Sequence, residues 1–395
     1  MKALGRPGLD LPLGSARRPS VCFVAPNNYA LLAQRPDLHK IGGAEVQRAL
    51  IARELQRRGH AVSFVVWDHG QPDGVEHDGV RVFKMCPPEA GWPVLRFVHP
   101  RWTSLRAAMD RADADVYYMR TAGAETGQVA HWCRQRRRGF VLAIANDPEC
   151  DWRLGGKKAL RERWLYYYGL RRAGQIIAQT TAQQESLRTH FGIESTLIRS
   201  CAPDPLDGGG ALATPDRLQH SHVLWAGRFS RQKRLAWVVP IAQRCPQVHF
   251  DVVGSGSLDL PEVAAAVRDL QALPNVTLHG FVPHAEMGAL HDRAALLLST
   301  SAWEGYPNVF LEAWSRGVPT VSTLDPDGVV EGNDLGRIAP SVESLATCLS
   351  GLLTDRSAWA RCSRACRSFF LQHHTVTATV DGLVPLLQVV IPIRG

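Results

Sequence analysis

The sequence predicts an α/β protein with two doubly wound domains, each built on a parallel sheet with helices on both faces. Three observations support this prediction. Short apolar runs alternate with helix-length amphipathic segments along the whole chain, a glycine- and proline-rich segment divides it, and hydrophobic residues make up 45% of its 395 positions. Strands that alternate with helices form βαβ units, which favour parallel sheets. A chain of this length holds two or three domains with sizeable cores.

Ten short apolar runs are predicted as strands, and the segments between them are predicted as helices. The strands of the first half are Val21–Val24, Ala61–Val66, Val116–Tyr118, Phe140–Ile144 and Gln175–Ala178. Those of the second half are Val223–Ala226, Val248–Val253, Val276–Leu278, Ala295–Leu298 and Pro319–Ser322. The helix Ala44–Arg58 is predicted from residue propensity more than from periodicity, because Arg48 interrupts its apolar arc; Gly59 is its predicted C-cap.

A change of composition between Ala202 and His220 divides the chain. This segment holds three consecutive glycines and three prolines with few apolar residues, a composition typical of a linker. The predicted organisation is a flexible leader at 1–19, an N-terminal domain at 20–202, a linker at 203–220, a C-terminal domain at 221–372 and a C-terminal segment at 373–395. The last segment is apolar and is expected to pack back on the N-terminal domain, although Pro385 and Pro392 leave its secondary structure open. A ligand crevice is expected between the two domains.

The composition favours a cytoplasmic protein. The sequence has no run of about 18 uncharged apolar residues, which a membrane-spanning helix needs, and no apolar core typical of a signal peptide. Its nine cysteines are scattered without a Cys-x-x-Cys pair, which fits a reducing compartment better than a disulfide framework. Cys362 and Cys366 are four residues apart, but no other Cys or His spacing completes a zinc site, so no structural metal is expected.

The basic charge of the chain allows three classes of partner. The formal net charge is +8, which suits nucleic acid, an anionic membrane or a phosphorylated small molecule. Basic residues cluster over Lys157–Arg172, where they alternate with Trp164, Leu165 and three tyrosines. A solvated helix face and a surface resting on the inner face of the cytoplasmic membrane both fit this pattern. No recognised nucleic-acid motif is present, so no nucleic acid partner is expected.

The most informative motif is Glu304-Gly305-Tyr306-Pro307-Asn308-Val309-Phe310-Leu311-Glu312. It lies between a predicted buried strand, Ala294–Thr300, and a predicted helix, Asn308–Arg316. Glu304 is therefore expected at the carboxyl end of a strand, where ligands bind in open α/β sheets. Glu312 is expected one to two turns into the helix, whose N-terminus offers free N–H groups to an anion. The arrangement suits a ligand with both hydroxyl and phosphate groups.

Three other segments follow predicted strands and carry glycines or cations. Ile41-Gly42-Gly43-Ala44-Glu45 begins a helix and lets a ligand approach the backbone, or is a glycine-bearing helix entry without a ligand. Ala226–Arg234 is predicted to open a helix. Arg228 and Lys233 there oppose the helix dipole, which suggests that they bind a diphosphate; a basic helix start without a ligand is the alternative. Val253-Gly254-Ser255-Gly256 lacks the third glycine of the dinucleotide fingerprint, so a plain tight turn is its alternative.

In this order and spacing, these motifs resemble those of the family 4 retaining glycosyltransferases, which have the GT-B fold. The resemblance covers about residues 20–370 and includes Gly280-Phe281-Val282. It implies two Rossmann-like domains facing a cleft, with a nucleotide-diphosphate sugar held mainly by the C-terminal domain. It also implies hexosyl transfer, with retention and without a metal or cofactor, to a glycan or lipid-linked acceptor. Synthesis of cell-surface polysaccharide or glycolipid is the expected setting.

The resemblance implies a role for each matched residue. Arg228 and Lys233 would neutralise the diphosphate, Glu304 would contact the transferred sugar, and Glu312 would accept hydrogen bonds from the ribose. The other residues expected to border the sugar donor are Gly42, Gly43, Gly256, Phe281, Val282, Gly305, Tyr306, Pro307, Asn308 and Val309. Such cations and amides stabilise the departing diphosphate more in the transition state than in the ground state.

The chain departs from the family pattern after the strand near Tyr117–Met119. Arg120 stands near the place where many relatives carry a histidine, and an arginine stays protonated and cannot act as a general base. Arg120 and Asp147 are acceptor-side candidates, with structural roles as the alternative. A GT-B sugar-nucleotide epimerase and a non-catalytic nucleotide-sugar or membrane-surface binding protein are the alternative functions.

Overall fold

A computed structural model describes residues 18–35, 38, 42–92, 95–152, 160–219, 221–256, 258–283 and 286–391. Residues 1–17 of the predicted leader, Ile41, and Lys157 and Lys158 of the basic cluster lie outside the described residues. Within them the chain forms two parallel-sheet α/β units, which confirms the predicted fold class.

The N-terminal half contains a sheet of order β3-β4-β2-β1-β5-β6-β7-β8, in which only β3 runs antiparallel to its neighbour among the described strands. Its strands are β1 Val21–Val24, β2 Val62–Val66, β3 Val75–His77, β4 Val80–Lys84, β5 Val116–Met119, β6 Gly139–Ala143, β7 Gln175–Ala178 and β8 Thr196–Leu197. Its helices are α1 Tyr29–Leu32, α2 Gly43–Arg57, α3 Thr103–Ala112, α4 Ala124–Arg136, α5 Leu160–Leu170 and α6 Thr181–Phe191. A π-helical segment, Phe97–Trp102, precedes α3.

The C-terminal half contains a parallel sheet of order β11-β10-β9-β12-β13-β14. Its strands are β9 His222–Ala226, β10 His249–Val253, β11 Val276–Gly280, β12 Leu296–Ser299, β13 Thr320–Ser322 and β14 Gly336–Ile338. The helices are α7 Val238–Arg244, α8 Pro261–Gln271, α9 Met287–Arg293, α10 Asn308–Trp314, α11 Val329–Gly332, α12 Val342–Thr354, α13 Arg356–His373 and α14 Val376–Val389. No helix in the described part of the chain has the length and apolarity needed to cross a membrane.

The interiors explain why these elements form. The strands β1, β2 and β5 are buried along their whole length, as expected for a parallel sheet covered on both faces. Each half has apolar clusters on both sides of its sheet, and large buried rings such as Phe23, Phe64 and Phe250 fill them. Burial of such side chains is the main source of stability, at about 2–3 kcal/mol each.

The last helix, α14, returns to the N-terminal half. Its residues Val380, Leu383 and Leu387 are buried in the same cluster as Phe23 and Phe64. The helix continues through Pro385. The chain therefore passes between the two halves twice, and the two passes meet where the Ala202 N–H donates to the His374 carbonyl at 3.0 Å.

Two sequence predictions need correction. The segment after β9 does not open a helix directly. It forms two 3-10 turns, Arg231–Lys233 and Leu235–Trp237, because Arg234 between them adopts a left-handed conformation with φ 47°. The hairpin formed by β3 and β4 was also missing from the prediction. Its turn residues Asp78 and Gly79 have φ of 49° and 76°, and Asp-Gly is the sequence signal of such a turn.

Candidate functional site

The predicted site residues converge at the carboxyl ends of both sheets. In the C-terminal half the loops after β9, β12 and β13 carry Arg228, Glu304 and Asp327. In the N-terminal half the loop after β6 carries Asp147. Because the strands of each sheet are parallel here, their carboxyl ends share one edge. The contacts described below show that the two edges face each other.

Lys233 and Glu304 form an ion pair at the centre of this region. The Lys233 ammonium contacts Glu304 Oε1, and the two side chains are 20% and 13% exposed. The backbone around them is held by Gln232, whose carbonyl accepts a hydrogen bond from Ala302 N at 2.7 Å. The Gln232 amide donates to the Trp303 carbonyl, also at 2.7 Å. A cation and a carboxylate 71 positions apart are thus placed side by side.

Arg228 lies between glycine loops of the two halves. A Cβ added to Gly42 would come within 3.7 Å of Arg228 Nη2. One added to Gly256, where φ is +153°, would come within 3.2 Å of Arg228 Cγ and 2.6 Å of the Phe229 carbonyl oxygen. Glycine is therefore required at Gly256, both by its φ and by the close approach. Arg228 is exposed and lies close to Gly42, the residue before the start of α2.

The N-terminus of α2 meets the N-terminus of α10. Gly42 N donates to Glu45 Oε2 at 3.0 Å. The Asn308 amide donates to the Gly43 carbonyl at 2.9 Å and accepts from Gln47 Nε2 at 3.3 Å. Val309 follows Asn308 in the first turn of α10. These contacts place the two predicted anion-facing segments against each other.

A second contact between the halves lies on the other side of Glu304. A Cβ on Gly305 would come within 2.6 Å of the Ala145 carbonyl oxygen. The Asp327 carboxylate accepts hydrogen bonds from Thr181 N at 2.8 Å and Thr181 Oγ1 at 2.9 Å, at the N-terminus of α6. An anion is favourable at that end of a helix, so this contact favours the close approach of the two halves.

Asp147 lies inside this contact and is held by Gln183, whose Nε2 donates to Asp147 Oδ1 at 2.9 Å. Burial raises the pKa of Asp147 above its ordinary value of 3.8, and the charges of Asp327 and Glu304 raise it further, against the hydrogen bond from Gln183. The structure therefore brings three carboxylates from both halves near one another. Burial and the neighbouring negative charges thus make the Asp147 carboxylate a stronger proton acceptor than an exposed aspartate.

The substitution Asp147→Asn is expected to stabilise the fold while reducing activity at least about tenfold. Because the folded-state pKa is raised, ionisation of Asp147 costs stability as pH rises above 3.8. The asparagine removes that cost and keeps the oxygen bonded to Gln183. Melting temperatures should therefore rise at pH 7, with the gain shrinking towards pH 4. A lower melting temperature at pH 7, or unchanged activity, would contradict this role.

Tyr306 and Pro307 are buried and connect the loop to the chain crossings. The Tyr306 hydroxyl lies 3.1 Å from His374 Nε2, and His374 Nδ1 lies 2.8 Å from the Ser200 carbonyl. Burial lowers the pKa of His374 to about 3, so the ring is neutral. Its Nδ1–H donates to the carbonyl, and Nε2 accepts from Tyr306. The loop of Glu304 is thereby tied to both crossings between the halves.

Glu312 is backed by a buried histidine that sequence reasoning missed. His291 is 2% exposed, and its Nε2 lies 3.1 Å from Glu312 Oε2. Because a carboxylate only accepts hydrogen bonds, Nε2–H is the donor. The Glu312 side chain is 20% exposed and lies one turn after Asn308 in α10. No spacing in the sequence pairs these residues, since they come from different helices.

The remaining predicted residues occupy different surroundings. Phe281 is 41% exposed just after β11, and Val282 packs on the core under α10. Arg120 is 7% exposed, and its Nη2 donates to Gln179 Oε1 at 2.6 Å and to Ser200 Oγ at 3.2 Å. It lines a small internal cavity beside Thr379 and Leu383 of α14. This location favours a structural role for Arg120 over contact with an acceptor.

Comparison with known proteins assigns this architecture. Residues 42–204 match the family described as glycosyl transferase 4-like domain, and residues 220–355 match glycosyl transferases group 1. The chain belongs to the family 4 glycosyltransferases of the GT-B fold. The resemblance predicted from the motifs is thus confirmed, and the protein is a glycosyltransferase.

Solved glycosyltransferases share the fold of this one at low sequence identity. A sucrose-phosphate synthase from Thermosynechococcus elongatus superposes with a TM-score of 0.75 at 17% identity, covering 93% of this chain and 98% of that one. HepE from Anabaena, in complex with UDP and glucose, superposes with a TM-score of 0.71 at 16% identity, covering 93% and 99%.

One curated relative matches part of this glycosyltransferase. It is the GtfA subunit of the UDP-N-acetylglucosamine–peptide N-acetylglucosaminyltransferase of Streptococcus pneumoniae, 28% identical over 128 residues. The match covers 30% of this chain and about a quarter, 24%, of that relative's length.

Proposed function

We propose that this glycosyltransferase moves a hexosyl group from a nucleotide-diphosphate sugar to a glycan or lipid-linked acceptor, retaining the anomeric configuration. The Lys233–Glu304 ion pair is the observation that carries the proposal, together with Arg228, which belongs to the same segment after β9 as Lys233 and approaches Gly42. Cations gathered at the carboxyl edge of the sheet suit a diphosphate. A carboxylate beside them suits the hydroxyl groups of a sugar. Synthesis of cell-surface polysaccharide or glycolipid is the proposed setting.

The chemistry follows from where charge develops. The bond between the anomeric carbon and the diphosphate oxygen breaks, and the leaving group gains negative charge. Arg228 and Lys233 stabilise that charge without a metal ion, because preorganised cations act most strongly where water is excluded. The acceptor hydroxyl attacks from the same face and gives up its proton, which the departing diphosphate or Asp147 can receive. Val309 N and the backbone at Gly43 border the transferred group.

The sugar donor and Glu304 compete for Lys233 under this proposal. In the structure the ammonium is neutralised by Glu304, and a bound diphosphate takes its place. Glu304 is then released to accept hydrogen bonds from the sugar. Donor binding thereby changes Glu304 from a partner of Lys233 into a partner of the substrate.

The substitution Glu304→Gln is expected to tighten binding of UDP severalfold while lowering kcat about 100-fold. The neutral amide competes less for Lys233, but it accepts weaker hydrogen bonds from the sugar than a carboxylate does. Calorimetric titration with UDP and initial rates of transfer measure the two effects. Glu343→Gln, at an exposed carboxylate on α12, is the matched control. Weaker UDP binding in Glu304→Gln would show that the two do not compete.

Replacing His291 by leucine is expected to raise KM for the sugar donor about tenfold with little change in kcat, because Glu312 loses the donor that orients it. His291→Gln places an amide N–H near the position of Nε2 and should restore most of the affinity. Steady-state kinetics with varied sugar donor separates KM from kcat. An equal loss in both variants, or a loss confined to kcat, would argue against an orienting role.

A thermal-shift screen with UDP-, GDP- and ADP-sugars tests the proposal directly, since a ligand that binds the native state raises the melting temperature. UDP-glucose and UDP-N-acetylglucosamine are the first choices, given the sugar nucleotides named for HepE and GtfA. Stabilisation by none of them would refute the assignment. Turnover of the sugar nucleotide without an acceptor would favour the epimerase, and binding without transfer over a broad acceptor screen would favour a non-catalytic role.

We also propose that the surface around α5 contacts an anionic membrane. Leu160 and Trp164 are 82% and 66% exposed on this helix. Arg161 lies over the ring of Phe97, 3.9 Å from its centroid, and this contact joins α5 to the segment that carries Leu95, which is 66% exposed. Exposed apolar side chains among arginines suit a lipid–water boundary.

Sedimentation with vesicles of phosphatidylglycerol and phosphatidylcholine tests this surface. We expect binding at low salt that falls at high salt, because the surface charges are screened. The double variant Leu160→Ser with Trp164→Ser should bind several times less, while Leu371→Ser, at an exposed leucine of α13 that is 47% exposed, should bind as before. If the protein does not sediment with the vesicles at low salt, the proposed membrane contact is refuted.

A further inference from the structure

Three histidines and an aspartate gather on the C-terminal sheet and come from its neighbouring strands β9, β10 and β11. His222 and His249 are the first residues of β9 and β10 and are paired in the parallel register. Asp251 is two residues further along β10, so its side chain lies on the same face as that of His249. His279 belongs to the neighbouring strand β11. Most of this sheet is covered by apolar contacts, so a polar cluster here needs an explanation.

The spacing of the nitrogen and oxygen atoms in this cluster is that of metal ligands. His222 Nδ1 lies 2.9 Å from Asp251 Oδ2, and His249 Nε2 lies 4.0 Å from Asp251 Oδ1. One ligand atom from each of the three residues lies within 4.8 Å of the others. In a tetrahedral zinc site, bonds of about 2.0–2.1 Å place the ligand atoms roughly 3.4 Å apart. Only small movements of the side chains are needed to reach that separation.

The exposure of the cluster allows an ion to enter. The His222 and His249 side chains are 26% and 34% exposed, whereas Asp251 is 1% exposed. A buried carboxylate with two imidazoles on its solvent side forms a three-residue ligand set with an open fourth position. His279 Nε2, 2.7 Å from Asp251 Oδ1, supports the carboxylate from the next strand, as hydrogen-bonded neighbours do in metal sites.

In this structure the guanidinium of Arg293 neutralises the Asp251 carboxylate. Its Nε lies 3.0 Å from Asp251 Oδ2, and its Nη2 contacts Oδ1. The Arg293 side chain is 44% exposed at the end of α9, so it can turn towards solvent. The buried carboxylate therefore requires a cation, and either the guanidinium or a divalent ion can supply it.

We propose that His222, His249 and Asp251 bind a divalent transition-metal ion of the zinc type, in competition with Arg293. Imidazole and carboxylate are ligands that suit such ions, whereas Mg²⁺ prefers oxygen ligands alone. The site lies at the amino ends of β9 and β10, away from the cleft. A bound ion would thus stabilise the C-terminal half and take no part in glycosyl transfer.

Titration of the tag-free, metal-free protein with ZnCl₂ and CoCl₂ tests the proposal by calorimetry and by the visible absorption of tetrahedral cobalt. We expect one ion per chain and a higher melting temperature on saturation. His222→Gln with His249→Gln should weaken binding at least tenfold. Arg293→Gln should tighten it severalfold, since the competing cation is removed. His131→Gln, at an exposed histidine of α4, should bind like the unmodified protein.

Several results would overturn this inference. The first is the absence of saturable metal binding, and the second is equal metal affinity in the double histidine variant and the unmodified protein. The third is near-ultraviolet absorption typical of cobalt–thiolate bonds, which would place the ion on cysteines. Weaker binding in Arg293→Gln would also count against it, because a purely structural cluster loses order without its arginine. Circular dichroism of each metal-free variant checks that it is folded. Transfer activity in excess chelator should be unchanged.

Discussion

Replacing Lys233 by alanine should lower kcat/KM about 100- to 1000-fold, the loss seen when one preorganised donor to a developing negative charge is removed. This corresponds to about 3–4 kcal/mol of transition-state stabilisation. The effect should be large because Lys233 is only 20% exposed. Solvent and salt screen a charge interaction less at such a partly buried position than at the surface. It should appear mainly in kcat, since the leaving group gains charge as the bond breaks.

Arg231→Ala provides the control for Lys233→Ala. Arg231 lies in the same 3-10 turn but is 69% exposed and paired with Glu262, so its loss should change kcat/KM less than about threefold. The double variant Lys233→Ala with Glu304→Gln removes the carboxylate left unpaired by the first change. It should regain part of the UDP affinity but none of the rate. Equal activities of Lys233→Ala and Arg231→Ala would refute the role given to Lys233.

Replacing Gly305 by alanine should lower kcat about 100-fold while leaving the affinity for UDP almost unchanged. The added Cβ would lie 2.6 Å from the Ala145 carbonyl oxygen, so the halves must separate by several tenths of an ångström at Glu304. A displacement of about 1 Å between reacting groups is enough for a loss of this size. The nucleotide is proposed to bind mainly to the C-terminal half, which the change leaves intact.

Gly332→Ala is the matched control. Apart from the adjacent residues and the backbone of its own helix, no heavy atom lies within 4 Å of a Cβ added at Gly332. Its activity and UDP affinity should match those of the unmodified protein. If kcat of Gly305→Ala is unchanged, close approach of the two halves at this loop is not needed for transfer.

The sequence predicted most of the sheet strands because their signal is local. The runs Val21–Val24 and Gln175–Ala178 have the predicted bounds, and the others shift by one or two residues at their ends. Short or partly polar strands were not predicted, including Thr196–Leu197 and Gly336–Ile338. Two or three residues are too few to show the alternating apolar pattern of a strand. The end of α10 was also placed two residues too late, at Arg316 instead of Trp314.

Much of the candidate site followed from motifs, but its partners did not. Arg228, Lys233, Glu304 and Gly43 were predicted from segments that follow strands, and the structure places them where the two halves face each other. The motifs did not indicate His291 behind Glu312, because such partners obey no spacing rule. Asp327, which holds the start of α6, was likewise unpredicted.

The sequence by itself determined the fold class, the family and the segments that carry the chemistry, because these depend on apolar patterns and motifs within a few dozen residues. Only the tertiary structure decided which side chains meet. Lys233 pairs with Glu304 across 71 positions, and Thr181 with Asp327 across 146. Such pairs are set by the packing of two sheets and the return of α14, and the free energy of that packing is shared by the whole core rather than recorded in any one segment.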